Sequence, residues 1–258
     1  MNTLIMKFGG STITSPEDFF KIADVIIEQK SHGRNIVVVV SAMRNTTDEL
    51  LKLAFRINKE PSKREQDMLI SVGERISIAL LAMALSVKGT EAISFTGSQS
   101  GIITCGRHSE ARIVDVRPRR ILPHLVEGRV VVVAGFQGVS TSGEITTLGR
   151  GGSDTSAVAL GIALGASYVD FYKDVGGVYT EDPKKNPDAV FLERLTYGEA
   201  QLLALRGDRI LHRRCIELAA KNGIVLRVKS PYKKMCTEIG ETSLKKENKL
   251  VYESIVSI

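Results

Sequence analysis

The sequence predicts an α/β protein, a three-layer α/β/α sandwich around a mainly parallel central sheet. Three observations lead there. Short apolar runs alternate with amphipathic stretches along the whole chain, the pattern of βαβ units. The runs are rich in Val and Ile, as strands buried on both faces are. The bulk is ordinary for a globular protein: 258 residues, 43% hydrophobic and 25% charged, enough for one large α/β domain or two modest ones.

The elements follow in order. Leu4–Phe8 reads as the first strand and leads through Gly9-Gly10 into a helix. Ser15 is the expected cap of that helix, with Pro16, Glu17 and Asp18 in its first turn and Phe19, Ile22, Ala23, Ile26 and Ile27 on one face. Ile36–Val40 is the second strand. Ser62-Lys63-Arg64-Glu65 is a capping box opening a long apolar helix through Ala84. Strands are expected at Ala92–Phe95 and Val130–Ala134, with an irregular loop, Ser98–Arg112, between them. An apolar helix spans Ala157–Ala166, and Tyr168–Tyr172 is the next strand. Pro183 and Pro187 flank a second loop, and Thr196-Tyr197-Gly198-Glu199 is a second capping box. A helix from near Asp208 to Asn222 stops at Gly223, and Ile224–Val228 is the last long strand. After Pro231 the chain turns polar, and Leu250–Ile258 fits one short strand.

The net charge of +6 suits an anionic small molecule or a nucleic acid. The basic residues occur only as scattered pairs such as Arg119-Arg120 and Arg213-Arg214, without interleaved aromatics. Nucleic-acid binding is therefore the weaker reading. Cys105, Cys215 and Cys236 are odd in number and widely spaced, which fits reduced thiols and no zinc site, so no metal-ligating residues are assigned. The first residues lack the charge pattern of a leader, and no run approaches the length of a membrane span. The expectation is a soluble, cytoplasmic protein with no membrane partner.

Three stretches carry chemistry. In Lys7-Phe8-Gly9-Gly10-Ser11 a lysine leaves the first strand before two glycines and a helix. Glycines let backbone amides approach phosphate oxygens, and Lys7 offers a mobile positive charge. Alone, the stretch fits a tight βα turn equally well. Thr147 to Ser156 places Arg150 among Gly149, Gly151 and Gly152, with Ser153 and Asp154 where a helix starts. Its amides form an anion nest, and Arg150 suits a carboxylate. Asp154 reads either as a helix cap or as an acid that holds lysines in place. Tyr172-Lys173-Asp174-Val175-Gly176-Gly177-Val178-Tyr179 follows a strand at the sheet edge where nucleotides lie. There is no G-x-x-x-x-G-K-[ST], no complete G-x-G-x-x-G and no protein-kinase motif set.

Together these stretches resemble the amino acid kinase family, and within it the aspartate kinases. The matches run from Lys7 to about Gly240 and include Ser41-Ala42-Met43 with Thr46-Thr47-Asp48, Ser71-Val72-Gly73-Glu74-Arg75, Phe95-Thr96-Gly97, Gly135-Phe136-Gln137-Gly138 and Leu211-His212. The resemblance implies the amino acid kinase fold and transfer of the ATP γ-phosphoryl, with Mg²⁺, to the β-carboxylate of L-aspartate. The product would be aspartyl 4-phosphate, the entry to lysine, threonine and methionine synthesis. It implies Lys7 and Asp154 as catalytic residues and Thr47, Glu74, Phe136, Arg150 and Ser153 as the aspartate site. Lys7, Gly9, Gly10, Ser11, Lys173, Asp174, Tyr179 and Arg209 would meet ATP. It further implies a catalytic domain over residues 1–236, with an aspartate half to about 150 and an ATP half from about 151, and a homodimer. The alternatives are a sister kinase with another carboxylate or phosphate acceptor, and a non-catalytic binding subunit.

Some positions have a second reading. Gly73 costs roughly 1 kcal/mol against Ala in mid-helix, so something should approach it closely. Thr47 could simply cap a helix, Phe136 could be core, and His212 on an apolar face reads as structural. Lys173, Arg209 and Arg213 depart from the family's usual Thr, Lys and Pro. Only 21 residues follow Thr237, fewer than the roughly 40 a further domain needs. Residues 237–258 are thus expected to be a short tail without the family's lysine- or threonine-sensing modules, unless a separate chain or a longer natural protein supplies them.

Overall fold

The computed structural model describes residues 2–241, apart from 182, 184, 185, 187, 206–210 and 232–234. Arg209, Ile210 and the expected strand at Leu250–Ile258 lie outside the described residues. The centre is an eight-stranded sheet of order β12-β14-β13-β9-β1-β2-β6-β3. Its strands are β1 (Thr3–Phe8), β2 (Asn35–Val40), β3 (Ala92–Phe95), β6 (Val130–Ala134), β9 (Tyr168–Tyr172), β12 (Arg194–Thr196), β13 (Val225–Lys229) and β14 (Cys236–Gly240). From β13 to β3 every pairing is parallel, and β14 runs antiparallel to β13. The expected domain boundary at residue 236 falls inside β14, so the sheet continues past it.

Period-two alternation divides two cores between the faces of this sheet. Leu4, Met6 and Phe8 pack with Val38, Val40 and Val132 against α1 (Asp18–Ser31) and α4 (Val72–Val87). Ile5, Val37, Val39, Val131 and Val133 face the other way, with Val169 and Phe171, toward α5 (Ile121–Val126), α6 (Gly152–Ala163), α7 (Tyr197–Leu205) and α8 (Arg213–Asn222). The expected three layers are therefore present. Helix α6 is buried from Gly152 through Gly161, which explains why it shows no polar face in sequence.

The helix starts differ in detail from expectation. Ser15 does not cap α1. Instead Asp18 Oδ2 accepts from the amides of Thr14 at 3.0 Å and Ser15 at 3.1 Å, so the carboxylate closes the turn from within the helix. Ser62 does cap, accepting from the Glu65 amide at 3.4 Å, but its helix breaks at Ser71 into α3 (Lys63–Ile70) and α4. By length and composition, Lys63–Val87 could cross a membrane, yet half of its most apolar window is buried inside the protein, as for a core helix. The Thr196 box is complete: Glu199 Oε2 accepts from the Thr196 amide at 2.7 Å, and Thr196 Oγ1 accepts from the Glu199 amide at 3.2 Å. Gly223 ends α8 at φ 64°.

The irregular loop expected at Ser98–Arg112 contains a strand. β4 (Ile102–Thr104) joins β5 (Ile113–Val116), β7 (Gln137–Ser140) and β8 (Ile145–Thr147) in a four-stranded sheet of order β5-β4-β7-β8. A two-stranded ribbon pairs β10 (Val178–Tyr179) with β11 (Phe191–Leu192). Helix α2 (Thr46–Ile57) sits at the mouth of the sheet's carboxyl edge with no buried residue.

Candidate active site

A cavity of about 700 Å³ opens where β1, β2, β6 and β9 end, the carboxyl edge at which parallel sheets bind ligands. Lys7 is the penultimate residue of β1 and shares the face of Ile5, so its side chain points toward α6 and is only 4% exposed. There its Nζ lies 2.6 Å from Asp154 Oδ1. Lys173, just past β9, reaches the other oxygen, Oδ2, at 3.8 Å. Burial pushes the Lys7 ammonium down, with Asp154 opposing and Lys173 adding to the drop. Burial pushes the Asp154 carboxyl up, and Lys173 and Lys7 together outweigh it, leaving the acid below its ordinary value. Asp154 is not the helix cap. Gly151 takes that place at φ 73°, freeing Asp154 in the first turn of α6 to face the lysines.

Several close approaches fix the start of α6. A Cβ on Gly135 would sit 2.7 Å from Ser153 Cβ, and one on Gly152 would sit 2.8 Å from Leu148 Cβ. Phe136, between these two contacts, is held at φ 69°, a left-handed conformation uncommon for an aromatic residue. Its amide donates to Ser156 Oγ at 3.2 Å, while its carbonyl accepts from the Leu148 amide at 2.9 Å. Phe136 is half-buried and lines the cavity. His212 packs on Gly151 and caps α8 through the Arg214 amide at 3.4 Å.

Across the cavity stands Glu74, in the first turn of α4 and 3% exposed. Its Oε1 accepts from the Ala42 amide at 3.0 Å, while the buried Oε2 has no hydrogen-bond partner among the described residues. Burial drives the Glu74 carboxyl up to about 7, against the Ala42 amide, its own amide and Lys7. The group that approaches Gly73 is the chain's own Ala42, whose Cβ would be 2.8 Å from an added methyl. Arg150 is exposed at the cavity wall, with no hydrogen bond or ion pair among the described residues. Thr47 is the second helical residue of α2 and lines the cavity without capping that helix.

The structure thus brings Lys7, Gly10, Ser11, Thr47, Glu74, Phe136, Arg150, Ser153, Asp154 and Asp174 around one space. Gly9 and Lys173 adjoin it: a Cβ on Gly9 would meet Lys7 Nζ at 3.2 Å, and Lys173 meets Asp154. Tyr179 is not on its wall. It sits in the two-stranded ribbon, edge-on to Phe191 at 5.4 Å. Sequence reasoning missed the wall formed by Ser41, Ala42, Asn45 and Asp48. Its signals were the Ser41-Ala42-Met43 and Thr46-Thr47-Asp48 stretches, which assigned no role to these residues, and Ala42 acts through its backbone.

A buried lysine–acid pair beside a glycine-lined helix start, at the carboxyl edge of a parallel sheet, is equipped for phosphoryl transfer. The amino acid kinase family profile matches residues 2–230. The chain belongs to the amino acid kinase family. This amino acid kinase is 51% identical over 233 residues to an aspartokinase of Corynebacterium efficiens, covering 90% of this chain and 55% of that one. It is 48% identical over 255 residues to an aspartokinase of Bacillus sp. strain MGA3, covering 99% of this chain and 62% of that one. The chain therefore spans little more than half the length of these relatives. Among solved structures, aspartate kinase from Synechocystis superposes with a TM-score of 0.82 at 42% identity, over 94% of this chain and 41% of that one. E. coli aspartokinase III in complex with aspartate and ADP gives 0.84 at 25% identity, over 94% and 65%. UMP kinase from Bacillus anthracis, at 17% identity and 0.67, shares the fold.

Proposed function

We propose that this amino acid kinase transfers the γ-phosphoryl of ATP to the β-carboxylate of L-aspartate, giving aspartyl 4-phosphate. The observation that carries the reading is the pairing of charges in one cavity. Among the described residues, Glu74 presents a buried carboxylate oxygen with no hydrogen-bond partner, and Arg150 a guanidinium with none, beside the Lys7–Asp154 pair. A zwitterionic diacid satisfies both, its ammonium on Glu74 and a carboxylate on Arg150. The aspartokinase relatives and the E. coli structure with aspartate and ADP support the same choice.

The acceptor carboxylate is already a nucleophile at neutral pH, so no general base is required. Lys7 neutralises charge that grows on the phosphoryl oxygens in flight, and Asp154 keeps Lys7 and Lys173 aimed at that position. Amides at Gly9, Gly10 and the start of α6 suit the phosphates. Asp174 belongs to the same cluster, and Tyr179, off the cavity wall, and Arg209, outside the described residues, are proposed ATP contacts. Among the described residues no group of three acidic, histidine or cysteine side chains forms a metal cage. In this proposal Mg²⁺ is held mainly by the nucleotide's own phosphates, with the cavity-lining carboxylates Asp154 and Asp174 as the residues that would hold it. When bound, the ion would add Lewis-acid charge neutralisation. The homodimer that the family resemblance implies and the cytoplasmic setting expected from the sequence complete the proposal, and light scattering tests the former.

The deciding experiment is a hydroxylamine trap. The purified chain with MgATP and aspartate should release ADP and yield an acyl hydroxamate, while acetylglutamate, glutamate and UMP give none. ADP release with UMP but not with aspartate would overturn the reading in favour of a phosphate acceptor.

A further inference from the structure

Asp67, on α3, is fully buried and takes no part in the chemistry above. Its carboxylate gathers four donors from two distant segments. Thr147 Oγ1 donates to Oδ1 at 2.6 Å and the Thr147 amide to Oδ2 at 3.1 Å. The Ser109 amide donates to both oxygens, at 3.1 and 3.0 Å, and His108 Nδ1 lies 2.9 Å from Oδ2. Ser109 is held at φ 67°, a conformation a serine does not choose unaided. The Ser109 carbonyl in turn abuts Gly149, where an added Cβ would come within 2.9 Å of it.

These contacts converge on the three residues before Arg150. Thr147 is fixed by Asp67, and its carbonyl accepts from the Ala111 amide at 2.9 Å. The Leu148 carbonyl accepts from Arg214 Nη1 at 2.7 Å. Gly149 is walled by Ser109. Arg150 itself has no protein partner among the described residues, so the backbone preceding it sets where the guanidinium starts. At its other end, α3 runs through Ser71 directly into α4, which carries Glu74. The Ser71 carbonyl is held by Gln137 Nε2 at 2.8 Å, one residue beyond Phe136.

We propose that Asp67 is a positioning residue that fixes the Arg150 loop relative to the helix bearing Glu74, and so sets the spacing of the two charges that hold the acceptor. The inference rests on the aspartate reading for the identity of that acceptor. A change of about 1 Å in such a spacing is enough to cost on the order of a hundredfold in use of a bound substrate.

The test compares Asp67→Asn, which keeps the shape but exchanges an acceptor for a donor, with Thr147→Val and Thr147→Ser. In Asp67→Asn and Thr147→Val the KM for aspartate should rise about tenfold or more while the KM for ATP stays within about twofold. Thr147→Ser, which restores the hydroxyl, should return the aspartate KM to the wild-type value. Amide hydrogen exchange across residues 148–153 should quicken in the first two variants and not in the third. Should Asp67→Asn not fold, Thr147→Val carries the test. An unchanged aspartate KM in folded variants, or equal rises for both substrates, would overturn the proposal. If the wild-type chain does not phosphorylate aspartate, the functional reading falls, and unchanged exchange at 148–153 would then overturn the positioning role separately.

Discussion

Lys7 and Glu74 show how burial sets reactivity at single residues. Lys7 is held in the cleft by Asp154, and its charge has no substitute at the same position in β1. Lys7→Met should lower kcat by about 10²–10³-fold, the scale of removing one preorganised charge-stabilising donor. Lys173 remains near Asp154, so the buried acid is not left alone, and circular dichroism should report a folded protein. Near-wild-type kcat in such a variant would reject the assigned role. Glu74 makes a pH prediction with a definite sign. Its folded-state value is raised from 4.5 to about 7, so the empty protein favours the neutral acid. The stability it contributes is full below the unfolded value and lost as pH rises through about 7, by about 3 kcal/mol at most. An ammonium on Oε2 favours the carboxylate. Aspartate binding at pH 6 should therefore release close to one proton, and its KM should climb about tenfold per pH unit below 7. Calorimetry in buffers of different ionisation enthalpy reads the proton. Glu74→Gln should bind more weakly and lose the pH dependence, and no buffer dependence in the wild type would refute the assignment.

At the scale of elements, the start of α6 is fixed by contact with the β6–β7 turn. Gly135→Ala would press a methyl against Ser153 Cα at 2.9 Å and Cβ at 2.7 Å. Overpacking of this kind costs about 1–3 kcal/mol, and here it displaces the turn that carries Ser153 and Asp154. The variant should lose more activity than stability, read as kcat against Tm; a large Tm drop with unchanged kcat would contradict this. The same elements show what was legible beforehand. β2 and β6 are Val-rich runs buried on both faces, and β1 and β9 are short, mostly apolar runs, so their positions are plain in sequence. The four-stranded sheet was not, because Ile102–Thr104, Gln137–Ser140 and Ile145–Thr147 are only three or four residues long and mix Thr, Ser, Gln and Gly with one or two apolar residues. Lys7, Arg150 and Asp154 announce themselves beside glycines. Ala42 gave little sign because it works through its backbone, and Asp67 gave none because an aspartate following Lys63-Arg64-Glu65-Gln66 in the first turns of a helix reads as solvated until its buried partners are seen.

For the whole molecule, the cleft joins segments far apart in the chain, from Lys7 to Asp174. β1, β2 and α4 supply Lys7, Ala42 and Glu74, while α6 and the β9 exit supply Asp154, Lys173 and Asp174. A ligand bridging these elements stabilises the folded state by about 2.7 kcal/mol at a hundred times its dissociation constant. Aspartate and a non-hydrolysable ATP analogue should each raise Tm. Arg150→Lys should abolish most of the aspartate shift and spare the nucleotide shift, and Lys7→Met should do the reverse. Equal losses of both shifts in either variant would argue against separate subsites.

The division of β1 between two cores has a further consequence. Even-numbered Leu4, Met6 and Phe8 serve one layer, and odd-numbered Ile5 and Lys7 the other. Parity along six residues thus decides both which greasy side chains are sealed beneath α1 and which charge enters the cleft. A single-residue deletion ahead of Lys7 would aim an aromatic ring at Asp154 and drive an ammonium into an oily layer, so fold and catalysis would fail together.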